Sequence, residues 1–172
     1  VSLRYNHHSS SADGPVRMGW GVNTPAIYRN INYTRSNAGD DYIYLSLNGV
    51  NSKLIYDSSD GRYHTEQESF FNIRKLSGGS NQLGEYWIVK TKDGTEYRFG
   101  YSSNSELNSN IENYVAQWNL DLIKDLHGNL VFYDYLENPS SDQGTSYLSA
   151  IRYNNNLTRI DFAYSFYYPN FV

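Results

Sequence analysis

The chain has 172 residues and a mass of 19.8 kDa, enough for one domain with a real core. A formal net charge of −4 leaves no basic footprint for a nucleic-acid backbone, and the absence of cysteine rules out a disulfide framework or a thiolate metal site. No run of about 18 apolar residues offers a membrane-spanning helix.

In chain order, Val1 to Asn6 alternates and then enters the polar loop His7 to Pro15. Trp20 follows, flanked by Gly19 and Gly21, and Pro25 opens a strand expected to run to about Tyr33. Asp40-Asp41 precedes the strand Tyr42 to Leu47, Asn48-Gly49 turns it back through Val50 to Tyr56, and Asp60-Gly61 turns again into Arg62 to Thr65. A strand is expected around Phe70 to Leu76, then Glu85 to Thr91, paired through Asp93-Gly94 with Thr95 to Gly100. Residues from about Asn108 to Ala116 place Ile111 and Val115 four apart, which suits a short helix or a loop packed on the sheet. Trp118 to Asp125 then turns through His127-Gly128-Asn129 and returns as Leu130 to Tyr135, and Asn154-Asn155-Asn156 leads into Leu157 to Tyr164.

The reading is all-β: antiparallel hairpins of one style, in a meander that forms a curved sheet or part of a β-shell, with at most one short helix. The 18 tyrosines, against 7 phenylalanines and 3 tryptophans, fit strands whose faces are only partly covered, because tyrosine buries a ring and keeps its hydroxyl at a wet boundary. No composition break divides the chain, so residues 1–172 read as one β domain or a fragment of a larger shell. A start at Val1 within an alternating segment leads to the expectation that both ends are cuts.

Several residues invite chemistry. Asp40 and Asp41 are adjacent carboxylates, but neighbours on an extended chain point to opposite faces, so a turn entering a strand is the better reading. Glu66 and Glu68 would share a face if extended, about 7 Å apart, within reach of paired-acid glycoside hydrolysis. Such spacing is common by chance, and a solvated face is preferred. Asp57, Ser59 and Glu68 fall at positions one, three and twelve of a would-be calcium loop, but the glycine stands at position five, as Gly61. His7-His8 lacks a third metal ligand at a supporting spacing, with His64 and His127 remote in sequence. No nucleophile elbow, phosphate loop, zinc-protease helix or dinucleotide fingerprint occurs. The chain therefore reads as non-enzymatic, with no catalytic, cofactor or metal residues. The residues singled out are structural: Trp20, Trp87 and Trp118 as core anchors, and Gly94, Gly128 and Asn129 holding turns. For Trp20, a plug sealing the end of the sheet is favoured over a ligand-stacking ring.

An ordered series of words carries a resemblance: Leu3-x-Tyr5-Asn6, Gly19-Trp20-Gly21, Pro25-Ala26-Ile27-x-Arg29, Gly39-Asp40-Asp41, Glu85-Tyr86-Trp87, Asp93-Gly94-Thr95 with Gly100, Trp118-x-Leu120, and Asp125-x-x-Gly128-Asn129 before Tyr133 and Tyr135. Through them the chain resembles the N-terminal region of the Salmonella virulence plasmid SpvB family, shared with the B components of insecticidal Tc toxins and adjoining Rhs/YD-repeat proteins. The resemblance implies a structural segment of a secreted toxin, located extracellularly or at the cell surface. Such a segment would form part of a β-shell that encloses or presents a toxic C-terminal polypeptide. Its implied partners are other segments of the shell, that cargo and toxin-complex components, with no cofactor. The alternative is a carbohydrate- or cell-surface-binding β-module whose exposed rings stack on sugars.

Overall fold

The computed structural model describes residues 2–5, 20–31, 40–109, 113–140 and 142–164. A two-stranded ribbon joins β1 (Ser2–Tyr5) to β2 (Trp20–Asn23), with Tyr5 opposite Trp20. The main body is an antiparallel meander: β3 (Ala26–Asn30), β4 (Tyr42–Leu47), β5 (Val50–Asp57), β6 (Arg62–Thr65), β7 (Asn72–Ser77), β8 (Glu85–Lys90) and β9 (Glu96–Phe99), each paired with the next. After β10 (Glu106–Asn108) comes the ten-residue β11 (Val115–Lys124), which closes the meander into an eight-stranded ring. Its first half pairs with β3, placing Trp118 opposite Ile27, and its second half pairs with β9, placing Leu120 opposite Phe99. The remaining strands, β12 (Leu130–Glu137), β13 (Ser146–Tyr153) and β14 (Thr158–Asp161), continue from β11 as an extension beside the ring.

One edge of β11 serves both β9 and β10. Asn119 donates its N–H to Ser105 O at 2.7 Å and accepts from Gly100 N at 2.9 Å. Leu120 turns the other way and donates to Pro25 O at 3.2 Å. Alternate backbone groups of a strand face opposite edges, so β9 and β10 lie end to end along one side of β11 while β3 and β12 share the other.

Alternation decides what fills the ring. Cross-strand partners join Tyr63 to Ile73, Val89 and Tyr97, and join Trp87 to Phe99 and Leu120. With Ile27, Leu45, Leu54 and Trp118 they form a continuous buried cluster. A ring of this size has an interior that side chains can fill, and here they do. Each fully buried large apolar side chain contributes roughly 1.5–3 kcal/mol, so the packed interior holds the ring closed.

The turns follow local chemistry. Asn48 and Gly49 take φ of 51° and 84°, the left-handed pair that a two-residue hairpin needs. The β8–β9 and β11–β12 connections are five-residue loops of one design: Gly94 donates to Thr91 O and Gly128 to Asp125 O, with φ of 82° and 83°. Only glycine takes that conformation without strain.

Two expectations need correction, and a third falls partly outside the described residues. The strand placed at Phe70 starts at Asn72, because Phe70 has φ of 59° and cannot belong to a ladder. Glu66 and Glu68 follow β6 in an irregular connection, so the shared face they would have on a strand does not exist. The stretch from Asn108 to Ala116 holds the end of β10 and the start of β11, and its residues 110–112 lie outside the described set. Among the described residues no helix is long and apolar enough to cross a membrane.

Candidate functional site

Trp87 and Trp118 are both fully buried and meet edge to face, with ring centroids 5.6 Å apart. Tyr63 extends the stack at 4.8 Å from Trp87, and Tyr56 at 5.1 Å from Tyr63, so a column of rings runs from the core to the surface. The Trp118 indole donates to Glu85 O at 3.2 Å, while the buried Trp87 Nε1 has no partner. Arg29 and Lys75 stand over the Trp118 ring at 5.9 and 5.6 Å. Lys75 also reaches Glu85 Oε1 at 2.7 Å. Burial pushes the Tyr63 phenol up, reinforced by Tyr56 and Glu85 and opposed by Arg29. Here the surface forms an open, shallow depression of about 500 Å³ lined by Tyr56, Gly61, Tyr63, Lys75, Leu76, Ser77 and Glu85. It can offer a ligand ring faces together with one cation and one carboxylate. Trp20, the third tryptophan, is placed only by its backbone in β2.

Arg29 donates from Nη1 to Asp41 Oδ2 at 2.8 Å and from Nε to Val115 O at 3.1 Å, and its guanidinium lies 5.2 Å from the Tyr114 ring. Two sequence words far from β11 thus meet at its first residue. Asp41 is engaged in this pair and is only 5% exposed, which suits an anchor for the entry to β4 and not an acid partner for Asp40.

The predicted turn residues fall at the tips of the two matched hairpins. Asp125 accepts at one oxygen from the N–H groups of His127 and Asn129, both at 2.8 Å, and at the other from Asn129 Nδ2 at 2.6 Å. These bonds, with the Asn129 side chain foremost, hold its carboxyl below the usual range. Asp93 is lowered in the same way, first by the Thr91 hydroxyl and then by Thr95. The tips touch: a Cβ on Gly94 would lie 2.3 Å from Leu126 Cδ2.

Of the metal candidates, His7-His8 lies outside the described residues. The calcium spacing does not assemble, because Glu68 turns to accept from the N–H of Phe70. What gathers instead is Asp57, Asp60 and His64, with ligand atoms within 4.8 Å of one another and His64 3.1 Å from Asp60. Asp57 also accepts from Ser59 N, and Asp60 from Arg62 N, so the exposed carboxylates are already turn caps.

Sequence reasoning missed a set of buried polar groups around β11. Asp121 is 2% exposed and accepts from Arg98 Nε at 2.9 Å, Ser102 N at 2.7 Å and Ser105 Oγ at 3.4 Å. Asn81 bonds the carbonyls of Glu85 and Gly100, and Asn119 donates to Ser146 Oγ at 2.9 Å. Glu106 is 1% exposed. Tyr135, whose phenol burial pushes far up, donates to Leu120 O at 2.8 Å. The signal was there in outline: Trp118-Asn119-Leu120-Asp121 is the centre of the longest strand, where both faces are most readily covered.

The family model described as Salmonella virulence plasmid 65kDa B protein matches residues 51–170. Among solved structures, the N-terminal domain of effector protein SpvB from Salmonella typhimurium strain LT2 superposes with a TM-score of 0.71 at 19% identity, over 94% of this chain and 60% of that one. TcdB2-TccC3 gives a TM-score of 0.66 at 17% identity, and the Photorhabdus luminescens Tc holotoxin pore gives 0.60 at 18%. They cover 87% and 84% of this chain and 8% of each toxin chain, so the present chain corresponds to a small part of those assemblies. No curated protein matches it in sequence.

Proposed function

Since the chain belongs to the family of the Salmonella virulence plasmid 65kDa B protein, with 120 of its residues, 51–170, inside the family match, we propose that it is a non-enzymatic structural segment of a secreted toxin. Its role is to form part of a β-shell that encloses or presents a toxic C-terminal polypeptide. The observation that carries this reading is the contrast between the ring and its extension. The ring is closed and filled, so it works as a rigid block and not as a container. Among the described residues β14 is the last strand of the extension and pairs with β13 alone, which leaves its outer edge without a strand partner there. An unpaired edge is a template for another strand, and a wall panel needs one. In this reading other segments of the same shell dock at β14, and toxin-complex components and cargo meet the assembled wall.

The test is hydrogen exchange on the complete reading frame, compared with the 172-residue chain. Alternate amides of Thr158–Asp161 should gain protection in the longer protein, and a C-terminal passenger should resist protease. If β14 exchanges equally fast in both and the passenger is cleaved freely, the wall role is lost.

The open depression beside Tyr56 and Tyr63 favours a second reading, a carbohydrate- or cell-surface-binding module. Trp87 lies beneath Tyr63, so a bound sugar would perturb indole emission. A saturable fluorescence change that Tyr56→Ala removes supports it, and a silent glycan array with flat titrations dismisses it.

A further inference from the structure

Two acidic side chains lie at the junction between ring and extension, with no ion-pair partner among the described residues. Glu106, on β10, is 1% exposed. Its Oε1 accepts from Leu83 N at 3.2 Å and from Asn108 Nδ2 at 3.0 Å, while its Oε2 is buried with no hydrogen-bond partner. Asn108, two residues on, spends its amide N–H₂ on Glu106 and on Gln82 Oε1 at 3.0 Å, and its Oδ1 is also buried without a partner. The backbone N–H of Asn108 faces the carboxyl of Glu137, the last residue of β12, and favours its charged form. Burial pushes the Glu137 carboxyl up, reinforced by the Glu106 charge, and its Oε1 accepts from Asn138 Nδ2 at 3.2 Å. Among the described residues no lysine, arginine or histidine forms an ion pair with either carboxylate.

A buried carboxylate oxygen left bare forfeits its solvation, and a second carboxylate beside it adds repulsion. The partnerless buried atoms here are both oxygens, one from a carboxylate and one from an amide, with a second carboxylate beside Asn108. That is the donor set of a hard cation, with water completing the shell. From the bare Glu106 Oε2, the bare Asn108 Oδ1 and the adjoining Glu137 carboxylate, we infer that this junction is a binding site for a divalent cation of the calcium class. A cation there clamps β10 to β12 and so fixes the extension against the ring. The site is separate from the exposed Asp57, Asp60 and His64 tip, whose carboxylates already cap turns.

The experiment is thermal unfolding of the full chain in calcium chloride, in magnesium chloride and in chelator, for the parent protein and three variants. Calcium should raise the Tm of the parent by a few degrees, half-saturating at about 0.1–1 mM as in extracellular calcium modules, with a smaller response to magnesium. Glu106→Gln keeps the shape and the Oε1 contacts but should abolish the response. Glu137→Gln, at a half-buried position, should weaken it at least tenfold and keeps the test decisive if Glu106→Gln fails to fold. Asp60→Asn should leave it intact. The site is refuted if calcium leaves the parent unmoved, if the shift survives in both glutamine variants, or if only Asp60→Asn removes it. It is equally refuted if both glutamine variants melt higher than the parent without calcium and the parent ignores the metal.

Discussion

The indole of Trp118 lies directly against the Cα of Gly100: a Cβ built there would stand 2.3 Å from Trp118 Cδ1 and 2.9 Å from Cγ. Gly100 also has φ of 75° and follows β9 at the point where the chain leaves the ring for the loop to β10. Left-handed backbone and ring contact therefore coincide at one residue.

Gly100→Ala adds two penalties, roughly 1–2 kcal/mol for the left-handed conformation and roughly 1–3 kcal/mol for forcing a fixed buried ring aside. Gly128→Ala carries only the first, because nothing lies within 4 Å of a Cβ at that exposed tip. Urea unfolding should show Gly100→Ala losing at least twice what Gly128→Ala loses, with Gly128→Val the worse of the two tip variants. Equal losses at the two sites would mean that Trp118 yields and the contact carries no weight.

Arg29 and Asp41 form a largely buried pair, with side chains 12% and 5% exposed. Removing one partner strands the other, so Asp41→Ala should cost about 3–5 kcal/mol. Arg29→Lys keeps the charge but loses the Nε bond to Val115 O and the flat contact with Tyr114, and should cost about 1–3 kcal/mol. The double variant Arg29→Met/Asp41→Leu should recover much of the Asp41→Ala loss. A double-mutant cycle with coupling near zero would show that the two side chains act independently.

How far these features could be read in advance depended on sequence distance. Asn48-Gly49 and Asp125 to Asn129 announce their turns because the bonds that make them lie within five residues, and strand alternation then fixes which side chains enter the core. Ring closure was not legible, since β11 finds β3 about ninety residues away and no local pattern encodes that pairing. Asp121 and Asn119 looked like the wet face of a half-buried strand, and became interior only when the loop after β9 and the start of β13 covered them. Trp87 and Trp118 read as core by size alone, but their contact across the ring, with Lys75 and Arg29 beside it, follows from closure. The bare oxygens of Glu106 and Asn108 have no sequence signature, because Glu-x-Asn on a strand is ordinary until the partner strand brings Glu137.

The hairpin tips set an acid-sensitive element. Asp57, Asp93 and Asp125 all have carboxyls held below the usual range, led by bonds from Ser59, Thr91 and Asn129. A group whose folded pKa is depressed contributes stability that is present above its unfolded value, about 3.9, and is lost as pH falls through the folded one. Stability should therefore hold at neutral pH and fall off below about pH 4. Asp125→Asn should flatten that acid limb, and carboxyl NMR should place the Asp125 titration below that of a free aspartate. An Asp125 resonance titrating at or above the free value would remove the tip from any account of acid unfolding.

Asp121 sits at the irregularity where β11 shifts its register against β9, between Leu120 and Leu122. The residue is turned out of the ladder, and its carboxylate holds Arg98 on β9 and the Ser102 and Ser105 ends of the loop that leads to β10. One side chain thus sets the bulge and closes the loop. Asp121→Ala leaves the Ser102 N–H bare and Arg98 unpaired, and Arg98 is 22% exposed, so water recovers part of the loss. The expected cost is about 2–4 kcal/mol. Asp121→Asn retains one acceptor and the volume, and should lose roughly half as much. Hydrogen exchange should place the damage at residues 100–107 and in β11, with the Asn48-Gly49 hairpin unaffected. Uniform loss of protection across the ring would instead make the bulge a part of the global core, with no separate role in seating β10.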